Sequence, residues 1–291
     1  MAKELKFYHP EFEQVVRHEL LISDRAITDE DALNVFDLDC SNFTFDSRDY
    51  EALSAFKNLD YLTINTRADE LDFLKALPLL EELNLETWGG NNTVDFNHFS
   101  HLTHLRELFV SGGDVSSIDY KNLEGLTALK KLERLVLHEF GSVDLRPLRS
   151  MPWLKGFYCG YANDVFDIEA IATLSNLEAL TLIDVKMDNL DFLDNFPDSL
   201  VIELCGLKMK TDVDYNKLSR FPPPRRMHKM NRRRYPFPWY RRVRSALTRL
   251  FRDRYRARRR RKICYRSFRH LSEPFPSCRQ PTSRPPAHSY R

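Results

Sequence analysis

The chain has 291 residues, 42% hydrophobic and 30% charged, a balance that fits a folded globular protein long enough for a full core. Its formal charge of +2 conceals a split: residues 1–220 hold 21 Lys+Arg against 40 Asp+Glu, net −19, and residues 221–291 hold 23 against 2, net +21. No window approaches 18 consecutive apolar residues, and the start, MAKELKFYHPEFEQVV, lacks the apolar core of an export signal, so the expectation is a cytoplasmic protein with no transmembrane segment. Its five Cys fall singly at 40, 159, 205, 264 and 278 without a C-x-x-C, which suits a reducing compartment better than a disulfide framework.

One apolar skeleton, with offsets 0, +3, +6, +9 and +11, recurs in chain order. It runs through Leu53, Phe56, Leu59, Leu62, Ile64, then Leu74, Leu77, Leu80, Leu83, Leu85, then Phe99, Leu102, Leu105, Leu108, Val110. It continues as Leu126, Leu129, Leu132, Leu135, Leu137, then Leu148, Met151, Leu154, Phe157, Cys159, then Ile171, Leu174, Leu177, Leu180, Leu182. A seventh, looser copy has Leu193, Phe196, Ile202 and Leu204, with Ser199 where an apolar residue is expected. Steps of three match one face of a helical or 3₁₀ turn, and the final step of two is strand alternation. Each unit is therefore a short helical segment, a turn and a strand, unable to bury its apolar face until neighbours stack on it.

The segments LPLLEELNLETW, LTALKKLERLVLHEF and LSNLEALTLIDVKM resemble irregular bacterial leucine-rich repeats, and the opening resembles the helical cap of internalin-like proteins. In that resemblance the PEFEQVVRHELL segment is the cap helix, Ile27-Thr28-Asp29-Glu30-Asp31 is the step after it, and Leu33, Phe36 and Leu38 belong to a first strand. The implied fold is an α/β leucine-rich-repeat solenoid, a horseshoe with an N-terminal helical cap and first strand over 1–45 and repeats over 46–221. Two departures stand out: internalins are exported, whereas this chain shows no export signal, and the Asn that usually follows the strand as a buried ladder is not regular, the place after the last apolar residue reading Asn65, Glu86, Ser111, His138, Gly160, Ile183 and Cys205.

In such a solenoid the residues alternating with buried ones point from the strands into the concave face. The place between the last two skeleton positions reads Thr63, Asn84, Phe109, Val136, Tyr158, Thr181 and Glu203. Residues two before and two after that place add Tyr61, Glu82, Glu107, Arg134, Glu86 and His138, and Phe109, Val136 and Tyr158 are expected on neighbouring strands as an apolar patch rimmed by Glu82, Glu107, Arg134 and His138. The implied function is a non-enzymatic protein–protein interaction module whose partner-binding set is Tyr61, Asn84, Glu82, Glu107, Phe109, Arg134, Val136, His138, Tyr158 and Thr181. The competing expectation is that Trp88, Phe140 and Tyr161, just after the strands, cover the patch.

Chemistry finds little support. His98, His101 and His104 form H-x-x-H-x-x-H but flank core-facing Phe99, Leu102 and Leu105, so a solvated face is expected rather than a metal site. Asp188, Asp191, Asp194 and Asp198 lack calcium-loop spacing and read as the hydrophilic side of a repeat. No nucleophile elbow, zinc-protease, phosphate-loop or dinucleotide motif occurs, so no cofactor and no catalytic residue are expected.

Another repeat begins at Leu218 and Phe221-Pro222, but Pro224, Met227 and Lys229 occupy its next skeleton places. Residues 222–291 form an Arg/Pro-rich basic tail, expected to be largely disordered with a helix over 240–256 that sets Val243, Leu247, Leu250, Phe251 and Tyr255 among Arg241, Arg242, Arg244, Arg249 and Arg252. Three readings of this tail stay open: an arm for nucleic acid or an anionic membrane surface with the solenoid as scaffold, an intramolecular mate for the acidic repeats, and a changed reading frame near residue 222.

Overall fold

The computed structural model describes residues 2–45, 47–88, 92–112, 118–209 and 215–222. Helix α1 (Pro10–Leu20) starts on Pro10, carries Glu11 and Glu13 at the positive end of its dipole, and ends at Leu21 with a left-handed φ of 55°. Phe12 and Val16, one turn apart, are its buried face. The Phe12 ring lies 4.8 Å from Phe45 and 5.9 Å from Phe56, which joins the cap to the first repeat. Thr28 caps α2 (Asp29–Ala32) reciprocally: the Asp31 N–H donates to Thr28 Oγ1 at 3.3 Å, and the Thr28 N–H donates to Asp31 Oδ2 at 2.9 Å.

The first strand corrects the expectation for its buried residues. Leu33 and Phe36 precede β1 (Asp37–Thr44) and are 42% and 53% exposed, whereas Ala32, Val35, Leu38 and Cys40 are buried. Those four stand at +3, +6, +9 and +11 from Asp29, so the cap carries the repeat's own register. Small Ala, Val and Cys in the leucine places hide it from a leucine pattern.

The remaining strands follow as β2 (Tyr61–Arg67), β3 (Glu82–Trp88), β4 (Thr93–Asp95), β5 (Glu107–Ser111), β6 (Asp119–Lys121), β7 (Arg134–Asp144), β8 (Gly156–Phe166), β9 (Ala179–Ile183), β10 (Lys186–Met187), β11 (Val201–Cys205) and β12 (Lys208–Met209). With β1, seven of them make one parallel ladder, β1-β2-β3-β5-β7-β8-β9-β11, each strand H-bonded to the next repeat's strand. From β2 onward the ladder is in register, with Leu62, Leu83, Leu108, Leu135, Phe157, Leu180 and Ile202 side by side. Steps of three become 3₁₀ turns at Asp72–Ala76, Phe96–Phe99, Leu123–Ala128, Arg146–Ser150, Ile168–Thr173 and Asp191–Asn195, because three residues per turn stack i over i+3. In the first repeat the turn is α-helical, α3 (Tyr50–Leu53). No skeleton residue of the first six repeats is more than 3% exposed. In the seventh, fully buried Leu200 takes the place that Ser199 cannot fill.

The repeats that start 25 and 27 residues before their successors spend the extra length on β4 and β6, which pair with each other and, through Tyr120 and Val143, with β7. At offset +13 the backbone divides the solenoid in two. Thr66 and Thr87 stay extended and buried, and Thr87 Oγ1 donates to the Ser111 carbonyl at 3.1 Å. In the last four repeats the same place is left-handed: Glu139, Tyr161, Asp184 and Gly206, with φ of 47°, 58°, 54° and 64°. That turn throws the side chain outward and returns Phe140, Ala162 and Val185, at +14, to the core.

At the far end, the 3₁₀ turn Tyr215–Arg220 opens the next repeat and buries Phe221 to 4% exposure. Lys217 Nζ donates to Asp191 and Asp194 at 2.7 Å each, and Arg220 donates to the Leu193 and Phe196 carbonyls at 2.5 and 2.9 Å. The Asp-rich stretch is thus where that turn docks. The expected helix over 240–256 and Arg241, Arg242, Arg244, Arg249 and Arg252 lie outside the described residues. Among the described residues no helix is long and apolar enough to cross a membrane.

Candidate protein-binding face

One face of the ladder is sealed by the 3₁₀ layer; the other is open and carries the expected rows. Strand pairing sets Tyr61, Glu82, Glu107 and Arg134 side by side. The next row runs Thr63, Asn84, Phe109, Val136, Tyr158 and Thr181, and the third sets Asn65, Glu86, Ser111, His138 and Gly160 in line. All ten residues expected to meet a partner therefore share one face. The place after the last apolar residue belongs to this face too, two residues on from the central row; Asn65, Ser111 and His138 are buried there, but only Asn65 is an asparagine.

The rows differ in character along the solenoid. At the N-terminal end Asn84 Nδ2 donates to Tyr61 Oη at 3.0 Å and Thr63 Oγ1 at 3.2 Å, a closed polar knot. The centre is aromatic. The His138 ring lies 6.2 Å from Phe109, 5.9 Å from Tyr158 and 5.2 Å from Tyr161. Two glycines of β8 make room for this crowding. A Cβ on Gly156 would lie 3.0 Å from Arg134 Cγ, and one on Gly160 would lie 2.9 Å from Tyr158 Oη. The Arg134 stem and the Tyr158 ring therefore lie flat across their neighbours.

That packing revises the patch. Val136 and Tyr158 are only 4% and 8% exposed and His138 only 2%, so they form its floor, while Phe109 and Tyr161 are half-buried and reachable. Of the residues expected to cover it, Phe140 instead faces the core, 4.7 Å from the Tyr120 ring, and Tyr161 leans on His138. The side chain of Trp88 is outside the described residues. Tyr161 and Glu139 reach the patch through their left-handed backbone, which non-glycine residues conceal in a sequence.

Burial and charge act strongly here. Arg134 is ion-paired with Glu107, and burial lowers its guanidinium while Glu82 and Glu178 oppose that. Burial lowers His138 to about 4, so its ring is neutral at pH 7. Burial also raises the Glu86 carboxyl, and burial with the nearby Glu86 charge raises Glu139 to about 7. Among the described residues no three His, Cys, Asp or Glu side chains are placed to hold a metal ion. His98 faces Asp72 at 3.3 Å, and His101 and His104 are half-buried beside the skeleton.

No protein-family model matches the chain, and no curated protein matches it. Solved structures do. An internalin of Listeria monocytogenes aligns with a TM-score of 0.54 at 18% identity, over 74% of this chain and 60% of its own. Internalin C2 of the same organism aligns with a TM-score of 0.57 at 20% identity, over 75% of this chain and 93% of its own. The parallel ladder, the 3₁₀ layer and these likenesses agree: in fold, the chain is an internalin-like leucine-rich-repeat solenoid.

Proposed function

We propose that the chain is a non-enzymatic protein-binding module whose partner seats on the open face of the ladder. The observation that carries this is the aromatic centre of the face: Phe109 and Tyr161 stand half-buried over a rigid floor of Val136, His138 and Tyr158. A partner covering them gains apolar burial without ordering the site, and Glu82, Glu107, Arg134 and Thr181 supply the polar rim. A reducing, cytoplasmic setting fits the buried Cys40 and Cys159 thiols, which burial raises far above the usual range.

The test is chemical cross-linking of the full chain in the host lysate, compared with Phe109→Ala/Tyr161→Ala. Captured proteins should disappear from the double variant while its melting temperature stays near wild type, since neither residue belongs to the core. Retention of every captured protein by a folded double variant would overturn the proposal.

A further inference from the structure

The three rows of the open face are short of cations. They carry six carboxylates, Asp37, Asp39, Glu82, Glu86, Glu107 and Glu203, against one guanidinium, Arg134. Elsewhere several acids stand beside cations of their own: Asp31 with Arg25, Asp144 with Arg146, Asp164 with Lys186, Asp167 with Arg149, and Asp191 and Asp194 with Lys217. The surrounding chain strips water from the Glu86 and Glu203 carboxyls and raises both, and no cation among the described residues opposes it. Glu86 is half-buried and Glu203 exposed, so a ligand can reach each of them. A face lined by one sign of charge focuses its field on whatever lies opposite.

The chain itself carries the opposite charge close by. The turn Tyr215–Arg220, docked through Arg220 on the Leu193 and Phe196 carbonyls, leads out at residue 222 from the repeat that holds β11 and Glu203. Further on, outside the described residues, comes Arg254-Tyr255-Arg256-Ala257-Arg258-Arg259-Arg260-Arg261-Lys262, seven cations in nine residues with no acid. The eight strands of the ladder span about 34 Å at about 4.8 Å per step, and the 32 residues from 222 to 254 can reach about 100 Å. Every part of the face is within that length. Arginine also suits the surface, because a guanidinium is weakly hydrated and stacks on rings such as the half-buried Phe109.

Building on the protein-binding reading, we infer that residues 254–262 occupy the open face of their own chain between Glu86 and Glu203, and that a partner must displace them. The net −19 of residues 1–220 draws the segment in. Tethering then holds it at high effective concentration, which closes the face to weak binders and leaves it open to a partner that out-competes the segment.

The probe is a fluorescent peptide of residues 254–262, titrated by anisotropy against full-length chains at about 0.15 M salt. In wild type the tethered copy competes with it, so Arg258→Gln/Arg259→Gln/Arg260→Gln/Arg261→Gln should bind the peptide about tenfold more tightly. Arg225→Gln/Arg226→Gln/Arg232→Gln/Arg233→Gln removes equal charge outside the segment and should change affinity by less than about twofold. Adding Glu86→Gln/Glu203→Gln to the first variant should weaken the peptide several-fold. Adding Glu124→Gln/Glu169→Gln instead, at exposed places on the 3₁₀ layer, should change it by less than about twofold. Equal gains in the two arginine variants, equal losses from the two carboxylate pairs, or no binding at all would overturn the inference. The outcomes separate from those of the previous proposal. Cross-linked partners lost on Phe109→Ala/Tyr161→Ala, with equal gains in the two arginine variants, would sink the self-occupancy of the face alone.

Discussion

His138 and Glu139 are neighbours in sequence with opposite responses to pH. The imidazole takes its proton near 6.5 when solvated and only near 4 in its buried place, so the unfolded chain binds the extra proton between those values. Its stabilising contribution is complete above pH 6.5 and is lost as pH falls toward 4. Glu139 is raised from 4.5 to about 7, so the folded chain holds the extra proton in that interval and stability falls as pH rises through it. Urea titration at pH 4 and pH 7 should show wild type losing on the order of 2–3 kcal/mol more than His138→Phe on acidification. Glu139→Gln should gain about 1–2 kcal/mol on wild type between pH 5 and pH 8, discounted for its partial exposure. A pH-independent difference for either variant would refute the assigned burial. A polar His at the place after the last apolar residue is visible in the sequence, but its enclosure by Phe109, Tyr158 and Tyr161 needs three neighbouring strands.

At the scale of elements, the repeat is a contract between a 3₁₀ turn and a strand, and glycine marks where two such turns touch. Gly125, in the turn Leu123–Ala128, packs on the turn Phe96–Phe99: a Cβ there would lie 2.3 Å from the Phe96 carbonyl oxygen and 2.9 Å from Asn97 Cα. Backbone cannot move aside as a side chain can. Gly125→Ala should cost about 2–3 kcal/mol, whereas Gly156→Ala, which meets only the flexible Arg134 stem, should cost less than about 1 kcal/mol. Chemical denaturation of the two variants checks this, and equal costs would refute it. The skeleton was legible because leucines at fixed spacing report burial directly. The left-handed +13 place was not, because Glu139, Tyr161 and Asp184 give no glycine or asparagine signal and are held there by the ladders on either side. The cap's own repeat was missed for a related reason: Ala32, Val35 and Cys40 fill a smaller space beside α1.

For the molecule as a whole, each repeat contacts its sequence neighbours along the ladder, so stability is local and additive. Phe221, 4% exposed, belongs to the last described repeat and packs on the end of the solenoid. Phe221→Ala should release about 2–4 kcal/mol locally. Hydrogen exchange of β9 and β11 amides should accelerate while β2 and β3 keep their protection. Equal acceleration in all four strands would show the solenoid opening as one unit. The boundary in composition also gains meaning at this scale. The charge changes near residue 221, and Lys217, Arg220 and Phe221 still dock on the seventh repeat, so among the described residues the repeat architecture reaches that boundary.

The sequence by itself determined the period, the strand alternation, the buried leucines and the register that places ten residues on one face. Those follow from local spacing repeated often enough to fix each unit's geometry. Tertiary structure alone decided which open-face residues are reachable. Val136, Tyr158 and His138 became floor, Phe140 turned to the core, and Glu139 and Tyr161 turned out. Exposure on a sheet depends on the bulk of side chains on the neighbouring strands, and no spacing within one repeat encodes it.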